Sequence, residues 1–317
     1  MQSQRVFINS KTPLPIITLS PQDKKWRKKR FLKRCLFLDI LKMYPIYEDM
    51  IKRLVREDES FQATQILGEG ADGTAVRVCQ KYNCYVAKIF KEGHEAATNA
   101  QYELMMTQKF YDIGIGPGLY NMVIGRKKQY AALFGEVDIM LRSYLYNAEY
   151  CSKTIQRLVD ELYETVTTAN LQGYAHLDLH YGNIGLVLGP DEQLHIQLLD
   201  FGRAVHYEEI NPEQTKTLKF LDGIILLYND IETQTATEFY NLLVEKYNED
   251  PSIAALYKDF DFTDMKQYDT MWSKHVKPVL YTNVQKKKIL TEYGGLTRIW
   301  ENMLPFSVFG KHISLLT

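Results

Sequence analysis

Between His176 and Leu186 the chain reads HLDLHYGNIGL, so that Asp178 follows His176 by two residues and Asn183 follows Asp178 by five. Seventeen residues after Asn183, the run LLDFG brings in Asp200. The intervening LVLGPDEQLHIQL has Gly and Pro between two alternating runs, which predicts a hairpin whose ends return to one edge. Asn183 and Asp200 would then lie side by side and offer hard oxygen ligands of the kind Mg²⁺ takes when it also binds a phosphate chain. An Asp with an Asn five positions later is a weak signal alone, so the reading depends on its companions.

Those companions lie upstream. GEGADG carries Gly68, Gly70 and Gly73 at the G-x-G-x-x-G spacing, where backbone N–H groups could approach a polyphosphate closely. The loop leaves one predicted strand and enters another, which argues against a dinucleotide fold, where such a loop opens a helix. Fifteen residues later VAKIF sets Lys88 between apolar neighbours in mid-strand, an unfavourable place for an ammonium unless an anion and a carboxylate meet it. Glu103, inside YELMMTQKF on the next predicted helix, is the natural carboxylate, with Glu95 as its rival.

The elements that must position these residues follow from pattern. FQATQIL, TAVRVCQ and CYVAKIF read as short strands of an antiparallel sheet. EAATNAQYELMMTQKFYDIG reads as a helix ending at Gly114, with Pro117 beyond it. LYNMVIGRKKQYAALFGEVD returns to strand alternation with a turn at Gly125. TIQRLVDELYETVTTANLQG is an amphipathic helix that ends at Gly173 and delivers the chain to His176. After Pro212 the sequence is helical and rich in Tyr, Leu and Ile.

With 317 residues, 45% hydrophobic and 24% charged, the chain can bury a substantial core and divide into two lobes. A net charge of −1 gives no global pull toward nucleic acid or membrane. Cys35, Cys79, Cys84 and Cys151 have neither zinc-site spacing nor the density of a disulfide scaffold, which suits a reducing compartment. No apolar run has signal-peptide or membrane-spanning length, so the expectation is an intracellular, cytoplasmic protein. The first twenty residues read as an extended arm, followed by one or two helices broken near Pro45. Eight of the eleven residues from Lys24 to Arg34 are Lys or Arg. This basic segment is either a solvated helix face or a contact for an import receptor, nucleic acid or anionic lipid, and the former two partners would admit a nuclear location.

Taken together, GEGADGTAV, VAK, Glu103, HLDLHYGN and DFG resemble the protein-kinase-like superfamily from about Leu67 to Gly202. The resemblance implies an α+β, bilobal protein-kinase-like fold, with an antiparallel-sheet N-lobe and a mainly helical, reduced C-lobe. Its domains would be a 1–60 extension, a 61–138 N-lobe and a 139–317 C-lobe. It implies ATP between the lobes under Gly68, Gly70 and Gly73, Lys88 on the α- and β-phosphates with Glu103 behind it, and Asn183 and Asp200 on Mg²⁺ or Mn²⁺. Asp178 would accept or orient the proton of the attacking hydroxyl.

Departures from the family pattern bear on the substrate. Leu177 stands where arginine precedes the catalytic aspartate in kinases switched by activation-loop phosphorylation. His180 replaces a common lysine, as in loops of aminoglycoside and choline kinases. No A-P-E follows, and Asp222, if it steadies the catalytic loop, comes only twenty residues after Gly202. Ala75 replaces the valine usual against adenine, and Asp72 occupies the loop tip. The foremost reading is an atypical serine/threonine protein kinase acting on a protein substrate and resembling compact kinases of large DNA viruses or bacterial effectors. A small-molecule kinase and a pseudokinase scaffold are the alternatives.

Overall fold

A computed structural model of the chain describes residues 45–304 except 57, 59, 81, 82, 258 and 259. The extended arm, the basic segment from Lys24 to Arg34 and the helical pattern before Pro45 lie outside the described residues. The description begins with helix α1 (Pro45–Leu54), followed by strands β1 (Phe61–Glu69), β2 (Gly73–Gln80) and β3 (Asn83–Phe90). Helix α2 (His94–Asp112) and strands β4 (Leu119–Ile124) and β5 (Tyr130–Gly135) complete the first lobe. β1, β2, β3, β5 and β4, in that order, form one antiparallel sheet.

Register explains how this sheet serves two faces. Directly opposed residues of an antiparallel pair point to the same side. Val76, Ala87 and Leu133 are therefore aligned on one face, where they are buried with Met50, Ile51 and Leu54 of α1. On the other face Gly68, Ala75, Lys88, Ala132 and Met122 form a second row. The Asn121 amide donates to the Leu54 carbonyl and Arg53 Nη2 to the Ile124 carbonyl at 2.7 Å, so α1 is tied to β4 at its end.

The second lobe runs from β6 (Ile139–Met140) through α3 (Leu141–Asn147), α4 (Ser152–Leu171) and β7 (Tyr174–Ala175) to the hairpin β8 (Ile184–Leu188) and β9 (Leu194–Leu198). β10 (Val205–His206) pairs with β7, and β6 with β8. Helices α5 (Pro212–Leu226), α6 (Gln234–Glu249), α7 (Pro251–Tyr257), α8 (Met265–Met271), α9 (Asn283–Tyr293) and α10 (Gly295–Glu301) follow. Pro212 at the first helical position and a capping box between Asn211 and Gln214 start α5 cleanly. Gly173, at φ 83°, ends α4 and turns the chain into β7; a Cβ there would lie 2.2 Å from the Tyr207 carbonyl. The result is the expected α+β architecture, an antiparallel sheet in the first lobe and mainly helices in the second. Among the described residues no helix is long and apolar enough to cross a membrane.

Two differences from the sequence reading stand out. Cys79 and Cys84, register partners across the β2–β3 hairpin, are joined in a disulfide, where the spacing argument paired no cysteines. Five positions apart is too close to read as a scaffold, but a tight hairpin brings the two side chains to the same side of the sheet. The C-terminal helices α9 and α10 pack against α2, so that helix is covered on more than its sheet-facing side.

Candidate active site

Lys88 leaves β3 in mid-sheet, in one row with the small residues Ala75 and Ala132. Its ammonium donates to Glu103 Oε1 at 2.6 Å and to Asp200 Oδ1 at 3.0 Å. The Glu103 side chain is only 4% exposed, whereas Asp200 is 40% exposed and open to a ligand. Glu95, the alternative partner, is exposed in the first turn of α2, away from this pair. Two carboxylates thus share one ammonium. Burial would lower the Lys88 pKa, but the two carboxylates reverse this and hold the ammonium charged. Burial pushes the Glu103 carboxyl up; Lys88 opposes it and Asp200 adds to it. Burial works against Asp200 too, yet Lys88 and the Gly202 N–H outweigh it and hold this carboxyl below its usual range.

Asp200 has φ 65°, a left-handed conformation that opens the turn Phe201–Arg203. Phe201 anchors that turn: it is fully buried, stacks on Phe110 of α2 at 4.2 Å between centroids, and lies 5.0 Å from the ring of His176. His176 Nε2 bonds the Leu199 carbonyl at 2.9 Å, and the Leu199 N–H donates to the Asn183 carbonyl at 2.9 Å. The predicted hairpin therefore does return its two ends to one edge.

The loop that carries Asp178 is fastened from below. Asp222, on α5 and 1% exposed, accepts from the His176 N–H at 3.0 Å, the Leu177 N–H at 2.9 Å and the Asn170 amide at 2.9 Å. Burial pushes its carboxyl up, and these donors pull against that. Leu177 sits at φ 59°, costly for a branched side chain, and its N–H is one of those Asp222 holds. Asn183 is 9% exposed; its amide nitrogen donates to the Asp178 carbonyl at 2.9 Å, which turns its side-chain oxygen away from that loop.

The glycines differ in what they permit. A Cβ at Gly73 would lie 2.2 Å from the Ile89 carbonyl, so only glycine lets β2 start this close to β3. Gly68 and Gly70 have nothing within 4 Å of such a Cβ, and the Gly70 N–H donates to the Gly73 carbonyl at 2.9 Å. Their freedom from local crowding leaves room for a ligand above the loop.

Arg203 was missed in the sequence. Its Nη1 donates to Asp178 Oδ1 at 2.8 Å, and its guanidinium lies 5.8 Å from the Trp272 ring centroid. Tyr268 is close enough that burial, and next the Asp178 charge, push its phenol up to about 12. Arg203 therefore joins Asp178 to the neighbourhood of Trp272. The only local signal for Arg203 is a cation directly after DFG; Trp272 and Tyr268 lie too far along the chain for any spacing argument.

The donor set fits a divalent cation. Asn183 brings a neutral oxygen and Asp200 a partly exposed carboxylate held ionised. Asn183 and Asp200 are its candidate ligands, and Gly68, Ala75 and Lys88 share one face of the sheet.

No family model matches the chain, and no curated protein matches it. Among solved structures, one described as WaaP in complex with acyl carrier protein is similar over 72% of this chain and 96% of that one, at 14% identity and a TM-score of 0.45. A likeness at that level says nothing of activity.

Proposed function

We propose that the protein is an ATP- and Mg²⁺-dependent phosphotransferase, an atypical serine/threonine protein kinase that passes the γ-phosphoryl group of ATP to a protein hydroxyl. The observation that carries this reading is the convergence of Lys88, Glu103 and Asp200 from three separate elements, beside a loop that holds Asp178 and Asn183. Glu103 positions the Lys88 ammonium, which meets the α- and β-phosphates. Asn183 and Asp200 would hold Mg²⁺, or Mn²⁺, which when bound supplies positive charge against the phosphate oxygens. Arg203 occupies Oδ1 of Asp178 and leaves Oδ2 to accept the proton of the attacking hydroxyl.

A second reading, transfer to a small-molecule hydroxyl, is favoured by the short segment that follows Gly202. Residues 203–211 connect Gly202 directly to α5, too few for an extended peptide platform, and Arg203, which meets Asp178, has Trp272 against it. A pseudokinase scaffold is disfavoured, because a scaffold has no physical need for the complete set Lys88, Asp178, Asn183 and Asp200.

Purified protein incubated with γ-labelled ATP, Mg²⁺, a generic basic protein and a panel of aminoglycosides and aminoalcohols separates the readings. Label on protein supports the first and label on a small molecule the second. Mg·ATP binding without transfer supports the scaffold. Asp178→Asn should abolish transfer while leaving nucleotide affinity nearly intact, and unchanged turnover in that variant would sink the assignment of Asp178.

A further inference from the structure

Lys286 belongs to the run Lys286–Lys288, which by pattern is a solvated helix face. Lys288 behaves so: its side chain is 75% exposed and meets only Glu292, at 3.7 Å. Lys286 turns inward. Its ammonium donates to Asn99 Oδ1 on α2 at 3.0 Å and to the Gly202 carbonyl at 2.9 Å, and it lies 5.1 Å over the ring of Tyr102. Burial pushes the Lys286 pKa down, while Asp72 and Glu103 resist.

The positions of these partners matter. Asn99 stands one helical turn before Glu103, and Gly202 follows Asp200 by two residues. One ammonium thus joins the helix that holds the Lys88 partner to the turn that holds Asp200. Two tyrosines brace the same junction: Tyr102 donates to the Ala204 carbonyl at 2.8 Å and Tyr281 to the His206 carbonyl at 2.9 Å, their rings meeting edge to face at 6.1 Å. The approach is close enough that a Cβ on Gly202 would lie 3.4 Å from Glu103 Oε2. Charge-assisted bonds in a water-poor junction are stronger than their surface counterparts.

In protein kinases the lysine–glutamate pair and the metal-binding aspartate must be brought into place together, and a phosphate on the segment after that aspartate often controls this. Here the segment between Gly202 and Pro212, RAVHYEEIN, contains no serine or threonine, and its one hydroxyl, that of Tyr207, belongs to a half-buried side chain. We infer that Lys286 is a positioning residue: the C-terminal helix α9 holds α2 and the Gly202 turn in register, so that the site is assembled by the chain's own ammonium and not by an added phosphate. The inference rests on the phosphotransferase reading of Lys88, Glu103 and Asp200.

The test compares Lys286→Met, Lys286→Arg and the control Lys288→Met by steady-state kinetics and by amide hydrogen exchange of α2 and residues 200–206. Lys286→Met removes the bonds to both Asn99 and Gly202 and should lower kcat by about 10- to 100-fold, the size of one charge-assisted bond, with the KM for the acceptor unchanged. It should speed exchange in both segments. Lys286→Arg should keep a larger share of the rate, Lys288→Met should match the wild type, and phosphatase treatment of the wild type should leave turnover intact. Wild-type exchange in Lys286→Met, or an equal loss in Lys288→Met, overturns the positioning role; loss of turnover after phosphatase overturns the independence from phosphate. Should the wild type transfer no phosphoryl group at all, the proposed function fails, and the exchange comparison still decides whether Lys286 joins the two segments. If Lys286→Met does not fold, Asn99→Ala and Tyr281→Phe carry the same exchange test, faster exchange supporting the role and wild-type exchange overturning it.

Discussion

Asp222 offers the sharpest quantitative test of how this site is held. Its carboxylate serves three donors, the N–H groups of His176 and Leu177 and the side-chain amide of Asn170, in a place without solvent. Truncation by Asp222→Ala strands all three, and each buried unpaired donor costs about 1–3 kcal/mol. Removing the carboxylate also relieves its own desolvation, and water entering the vacated space satisfies some donors, so the net loss should be about 3–5 kcal/mol. Asp222→Asn keeps one acceptor oxygen for the two backbone donors but faces an amide donor toward Asn170, and should cost less, about 1–3 kcal/mol. Function should follow by a separate route. Leu177 at φ 59° stores about 1–2 kcal/mol of backbone strain, which the bond from its N–H to Asp222 helps to hold. Without that bond the loop relaxes and carries Asp178 from its place, so turnover of Asp222→Ala should fall by about 10- to 100-fold even where the protein remains folded. Urea denaturation gives the first quantity, and kinetics well below the denaturation midpoint the second. An Asp222→Ala protein within about 1 kcal/mol of wild type and with wild-type turnover would refute the argument.

Gly73→Ala should disrupt the start of the β2–β3 pairing, since its Cβ would meet the Ile89 carbonyl at 2.2 Å, whereas Gly70→Ala should leave stability unchanged; equal denaturation midpoints for the two variants would contradict this. His206 is held down to about 4, by burial first and then by Lys109, so the folded protein binds fewer protons than the unfolded chain between that value and about 6.5. Its stabilising contribution is therefore complete above about pH 6.5 and lost as pH falls toward 4, and His206→Gln should narrow the stability difference between pH 7.5 and pH 5; an unchanged difference by urea titration counts against it.

Much of the site was legible because its chemistry is written in short runs. A lysine in an apolar strand has to meet a carboxylate, and the apolar surroundings of Glu103 identified it ahead of the exposed Glu95. Gly and Pro between two alternating runs foretold the hairpin that returns Asn183 toward Asp200. Asp222 was reached through the family resemblance, in spite of its short distance after Gly202, and its three donors were not foreseen. Arg203 escaped notice because a surface cation after a turn is commonplace, and nothing local says that it will reach Asp178.

What the sequence determined by itself was therefore the run of strands and helices about the sheet, the β8–β9 hairpin and the meeting of Lys88 with Glu103, since periodicity, turn residues and buried-charge logic all act over a few positions. Only the tertiary structure decided that Cys79 and Cys84 are bonded, that Arg203 meets Asp178 with Trp272 against it, and that one lysine of three in α9 turns inward to Asn99 and Gly202. Lys286, Lys287 and Lys288 are chemically identical and adjacent. Which of them is buried depends on the rotation of α9 against α2, a packing choice made between segments far apart in the chain.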